Sequence, residues 1–184
     1  MRYVALLRAV NAGKASRITM DALRTCVEQR GIRVLDWYLP SGNLVIEAPR
    51  TRGSRLAEQI GQAVGERLGR PTTAIVLTRS QLDRVLRSVH APWRDEPDRA
   101  HEVIFFTKAV TAAQLLAGIK WDPDLEQLTP AGGCIYWSVR VGDATPSALG
   151  ILSRTAKYQL MTVRSLHTLE HLQQLMLHQS PPRP

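Results

Sequence analysis

The chain has 184 residues, 44% of them apolar and 22% charged, with a formal net charge of +8. This is the composition of a globular protein long enough to bury a core, as one domain or two small ones. It excludes a membrane-spanning helix, because no apolar run approaches the ~20 residues that one needs, and the start lacks the apolar region and cleavage site of a secretion signal.

Cys26 and Cys134 are far apart and have no metal-type spacing. Cys26 falls near Leu23 and Val27 on an amphipathic stretch and reads as a buried structural thiol. The expected location is therefore the cytoplasm, with no disulfide, metal or cofactor implied. All but four of the 24 Lys and Arg residues are Arg, scattered apart from a local run at Arg50, Arg52 and Arg55. A basic surface attracts nucleic acid and other anions over long range, but scattered charge is read first as a general surface property.

In chain order, Tyr3 to Val10 is an apolar run broken only by Arg8, which predicts a central strand. Met20 to Arg30 carries Leu23, Cys26 and Val27 on one helical face, with Thr19 or Asp21 as cap and Gly31 as stop. Val34 to Leu39 and Leu44 to Glu47 are strand-like, and Pro40-Ser41-Gly42-Asn43 between them predicts a hairpin. Leu56, Ile60, Val64 and Leu68 recur every four residues as one face of a helix that Gly69 ends. Thr72 to Thr78 is another strand. This β-α-β-β-α-β order over residues 1–79 is the ferredoxin-like, or split βαβ, pattern.

Ser80 is expected to open the next helix, with Asp83 at the capping-box position. Residues 92–99 read as a loop, Val103 to Thr107 as a strand, and Thr111 as the cap of a short helix. Leu125 to Leu128 and Ile135 to Val139 are read as strands, and Ser147 to Tyr158 and Ser165 to Leu177 as helices. The fold class is thus α+β, two ferredoxin-like subdomains in tandem, over residues 1–79 and 80–178, with a disordered tail at 179–184.

In a split βαβ unit the first and third strands are antiparallel neighbours, so the loop after the first strand and the hairpin before the third lie at one sheet edge. That edge gathers Arg8, Asn11, Gly13, Ser41, Gly42 and Asn43. Arg8 is a charge in an apolar strand and needs a partner or an exposed strand end. The Asn and Ser side chains donate and accept hydrogen bonds, and the glycines let backbone approach closely. An anionic ligand, a phosphate, a carboxylate or nucleic acid, would suit such an edge. The structural alternative is that Asn43 and Ser41 only hold the turn while Arg8 tethers the C-terminal segment.

Two motifs fail on inspection. Residues 8–16 lack the first glycine and the Ser or Thr of a P-loop, since Arg8 and Ala15 stand there. His167-Thr168-Leu169-Glu170-His171 matches H-x-x-E-H, yet the leucine stripe puts His167, His171 and His178 on the opposite face, read as solvated.

The segments Tyr3 to Arg8, Asn11, Gly13, Met20, Tyr38-Leu39 and Ser41-Gly42-Asn43, continued weakly by Pro92-Trp93, Ile135-Tyr136, Ser147 to Leu149 and Met161-Thr162 with Arg164 and Thr168, resemble a bacterial family catalogued as domain of unknown function 1697. The resemblance implies two ferredoxin-like halves and no established activity. It adds Arg164 to the expected site, through a third marked segment in which Thr162, Arg164 and Thr168 match while Ser165 and Leu166 replace Asn and Trp. Lys14, Ala15 and Ser16 also depart from the family's first loop. The leading expectation is a ligand site of Arg8, Asn11, Gly13, Ser41, Gly42, Asn43 and Arg164. Behind it stand an enzyme acting on a phosphate- or carboxylate-bearing metabolite, which lacks an identifiable nucleophile or base, and an interaction module whose shared residues lock the halves together.

Overall fold

In the computed structural model, residues 1–11, 17–89, 93, 96–142 and 147–177 are described. Gly13 to Ser16, His90, Pro92, His178 and the expected tail therefore lie outside the described residues.

Strand β1, Arg2–Leu7, is buried on both faces from Tyr3 onward, as a continuous apolar run requires. It pairs antiparallel with β3, Asn43–Glu47, on one side and with β4, Ala74–Thr78, on the other. Strand β2, Arg33–Tyr38, adds outside β3, giving the order β2-β3-β1-β4 of a split βαβ sheet. Helices α1, Met20–Glu28, and α2, Gly53–Leu68, share one core with Tyr3, Ala5, Leu7, Leu44 and Ile46. The Thr19 hydroxyl accepts from the Ala22 N–H as the expected N-cap, and Gly69 ends α2 in the left-handed conformation.

The second sheet repeats this plan. Strands β5, Arg99–Phe106, β6, Glu126–Ala131, β7, Cys134–Arg140, and β8, Met161–Ser165, are ordered β6-β7-β5-β8 and all pair antiparallel. Pro130 lies in β6, an edge strand, where a missing N–H costs no ladder bond. Helices α4, Ala112–Leu116, and α5, Ala148–Ser153, supply Leu115 and Leu152 to a core with Ile104, Ile135 and Met161. The buried Glu126 carboxylate accepts from Trp137 Nε1 at 3.1 Å and from the Ala148 N–H at 2.9 Å. It joins the β6–β7 hairpin to the first residue of α5.

The two ferredoxin-like sheets match the expected class, and three local details differ. Strand β8 falls in a stretch given no element from sequence, because five residues with one charge carry too little alternation to stand out. The single helix expected over 148–158 is α5 followed by a 3-10 helix, Ala156–Leu160. Helix α3, Arg79–Arg87, is capped by Thr78 and not Ser80: Gln81 N donates to Thr78 Oγ1 at 3.3 Å and Thr78 N to Gln81 Oε1 at 2.8 Å, a reciprocal box set two residues earlier.

The chain divides into two compact units, Met1–Asp83 with the segment from Thr168, and Arg84–His167. Helix α6, Leu166–Leu177, which sequence reading kept in the second half, thus contributes most of its length to the first. Its leucine stripe foretells that it packs, but not against which sheet.

Replacing Glu126 with Ala leaves the Trp137 and Ala148 donors unmet and is expected to cost about 2–3 kcal/mol in urea unfolding, with Glu126→Gln costing less. Equal stability for Glu126→Ala and wild type would refute this role.

Candidate functional site

The β1 backbone continues past the strand: Arg8 N donates to Thr73 O, and Leu7 N to Gly42 O, each at 2.8 Å. The first loop and the β2–β3 hairpin therefore meet at one edge, as the topology demands. Asn11 ties them. Its Nδ2 donates to Pro40 O at 2.7 Å and to Ile18 O at 3.1 Å, while its Oδ1 accepts from Ile18 N at 2.8 Å. The side chain thus closes its own loop and clamps it to the hairpin.

The hairpin is closed from within by Asn43, which is 0% exposed. Its Nδ2 donates to Tyr38 O at 2.8 Å and to the Ser41 hydroxyl at 3.1 Å. Gly42 has φ +82°, and a Cβ there would stand 2.8 Å from Leu7 Cβ. Both space and backbone demand glycine. Three non-glycine residues also adopt left-handed backbones, Ala9 at φ 54°, Asn11 at 55° and Leu39 at 60°, and all belong to this edge. Asn tolerates that region; Ala and Leu reach it at a cost of order 1 kcal/mol each.

Arg8 is partly buried, and strand alternation carries it to the sheet face shared by Leu6 and Asn43. Arg70, which sequence reading did not single out, reaches the edge from beyond α2 and donates through Nη2 to Ala9 O at 2.6 Å. Its signal is weak, a lone Arg in a turn between a helix and a strand. Gly13, expected here, lies outside the described residues.

His171 also departs from expectation. Its ring stacks on Tyr38, with centroids 3.9 Å apart and planes at 28°, so it is half-buried and not on a solvated face. The sheet supplies an aromatic neighbour that the helix pattern alone does not display.

A profile of one protein family matches residues 1–136, nearly three quarters of the chain and the whole of this edge. The chain belongs to the family described as protein of unknown function (DUF1697). Among solved structures it is similar to the conserved bacterial protein SP0830 from Streptococcus pneumoniae, at 20% identity and TM-score 0.80, covering 96% of this chain and 98% of that one. That likeness establishes the fold. No curated protein matches the chain.

Arg164 stands on β8 in the second unit, beyond the family match. Its Nη1 donates to Thr162 Oγ1 at 2.8 Å and to Val163 O at 2.7 Å. Burial pulls its pKa down to about 10, and the Glu102 carboxylate opposes that fall. Burial in turn raises Glu102, with Arg164 holding it back. Within its own unit Arg164 is thus already occupied by Thr162, Val163 and the charge of Glu102.

The second unit holds another polar cluster. His101 stacks beneath the buried Trp93, with centroids 4.8 Å apart, and neither ring nitrogen has a hydrogen-bond partner among the described residues. Its Nε2 lies 3.8 Å from Glu96 Oε2, too far for a hydrogen bond. Burial lowers the His101 pKa; Glu96 is the strongest opposing influence, Asp98 also raises it, and Arg99 adds to the fall.

Two outcomes follow for stability. Gly42→Ala should destabilise by more than Gly31→Ala, where φ is also positive but an added Cβ meets open space, the excess of about 1–3 kcal/mol being the clash with Leu7; equal losses would show that the hairpin yields. Because His101 binds its proton less readily in the folded chain, its contribution is intact above about pH 6.5 and is lost as pH falls below that value. His101→Phe, which keeps a ring under Trp93, should flatten that acid dependence in unfolding titrations, and an unchanged slope would assign it elsewhere.

Proposed function

We propose that the edge built by Arg8, Asn11, Ser41, Gly42 and Asn43, with Gly13 in its loop, binds an anionic ligand in the cytoplasm, nucleic acid being one candidate. The observation that carries this reading is the gathering of three strained non-glycine backbones, Ala9, Asn11 and Leu39, at the strand end that also carries Arg8 and Arg70. Left-handed backbone turns its N–H groups outward into concavities that suit anions, and strain of this kind persists where surrounding structure holds it for function.

The roles divide by chemistry. Arg8 supplies charge-assisted donors to the anion. Asn11 and Asn43 spend their side chains on Pro40, Ile18, Tyr38 and Ser41, so they shape the edge and hold its backbone in place. Gly42 lets the hairpin backbone close against Leu7. Arg164 is left out of this site, because its donors serve Thr162 and Val163 in the second unit. The net charge of +8 would speed the approach of any anion without choosing among them.

Fluorescence anisotropy of labelled single- and double-stranded oligonucleotides, at low and physiological salt, tests the reading with wild type and Arg8→Ala. A nucleic-acid ligand at this edge is expected to survive physiological salt and to weaken about tenfold in the variant, equal to about 1.4 kcal/mol. Binding that vanishes with salt and ignores Arg8 would assign the charge to non-specific attraction and remove nucleic acid as the ligand.

A further inference from the structure

His171 lies at the same corner of the first sheet as the proposed anion edge. Tyr38 pairs with Asn43 across β2 and β3, and Asn43 pairs with Leu6 across β3 and β1, so the three form one row across the sheet and point to one face. Neighbouring strands lie ~4.8 Å apart, which sets Tyr38 and Leu6 about 10 Å from each other. Arg8 follows Leu6 on that face by alternation, one step beyond the row toward the edge. Helix α6 crosses the face: its His171 ring lies on Tyr38 near the edge, and its Met176 carbonyl accepts from Arg2 Nη1 near the far end of β1. The imidazole is thus held by its flat face, while its nitrogens form no hydrogen bond with any described residue.

Resting on the anion-edge reading, we infer that His171 completes that edge and that the group bound there is a phosphate, held more tightly when the imidazole carries a proton. Donors reach the edge from separate segments, Arg8 at the end of β1, Arg70 beyond α2 and His171 on α6. Such an array suits a tetrahedral anion with three acceptor oxygens better than a planar carboxylate with two. Protonated imidazole donates from both nitrogens, and histidine is the side chain that gains this capacity near neutral pH.

The charged groups around His171 leave it available. On β2, Asp36 shares the face with Tyr38, and its Oδ1 already accepts from Trp37 N at 2.8 Å. On α3, Asp83 accepts from Gln173 Nε2 at 2.7 Å and pairs with Arg79. On β1 stand Arg8 and, at the far end, Arg2, committed to the Met176 carbonyl. On α6 itself His167 lies one turn earlier and Glu170 one residue earlier. β4 brings only Ile75 and Leu77 to this face.

Sulfate is the probe, because it stays doubly charged from about pH 8 to about pH 5.5, so any change in its binding over the range in which histidines titrate belongs to the protein. Calorimetric titrations of wild type, Arg8→Ala and His171→Phe across that range decide the matter, with thermal unfolding as the folding control. Phe keeps an aromatic ring on Tyr38 and takes no proton; His171→Gln serves as a second variant. Wild type should bind sulfate several-fold more tightly at the acid end, both His171 variants should show a flat profile at the wild-type alkaline affinity, and Arg8→Ala should weaken binding throughout. Binding that needs Arg8 but keeps its acid rise without His171 overturns the inference and leaves the edge reading standing. Sulfate binding that ignores Arg8, or is absent at every pH, removes both. Displacement of sulfate by glycerol phosphate alone identifies a small metabolite as the source of the phosphate, displacement by a 5′-phosphorylated oligonucleotide as well admits a nucleic-acid end, and displacement by neither overturns the choice of phosphate.

Discussion

The Asn11 side chain is the constraint on which the first unit's edge depends. One amide reaches Ile18 twice and Pro40 once, joining the loop after β1, the approach to α1 and the tip of the β2–β3 hairpin. Each hydrogen bond contributes on the order of 1 kcal/mol. Together they offset the left-handed backbones at Ala9 and Leu39, which the chain would otherwise relax. Asn is suited to the position twice over, because its side chain carries both a donor and an acceptor and its backbone tolerates positive φ.

The two sheets share one topology and use buried polar groups differently. In the first unit Asn43 closes the hairpin that leads into β3, a neutral amide serving the turn itself. In the second the hairpin turns on Gly132 and Gly133, both at positive φ, and needs no side chain to close it. The buried polar group there is Glu126, spent on Trp137 and on the start of α5. Identical strand order therefore does not carry a site from one sheet to the other, since the edge chemistry resides in side chains that only the first unit has.

Much of this was legible in the sequence, and the exceptions have physical causes. The β-α-β-β-α-β order followed from apolar period, Gly stops and the Pro-Ser-Gly-Asn turn, and the meeting of Asn11 with the hairpin followed from that order alone. What sequence could not supply was partnership. The leucine stripe of α6 fixed which residues are buried, but nothing in a helical period says that the opposite flank will meet Tyr38, so His171 read as solvated. Arg164 looked like a site residue because it is charged and in a marked segment; its Thr162 and Val163 acceptors are strand neighbours whose geometry appears only once β8 forms.

Leu39 carries the argument for the edge one step further. It is 47% exposed and holds φ 60°, so it gains little from burial and is strained in its backbone. Glycine or asparagine would take that conformation more easily, and a polar side chain would meet water at less cost. Folding alone gives no reason for a leucine there. An exposed apolar side chain between Tyr38 and Pro40, beside the Asn11 clamp, is better accounted for by a ligand that covers it. Such a ligand would carry an apolar or planar portion next to its anionic group, a description that a nucleotide or another organic phosphate meets and a bare inorganic ion does not.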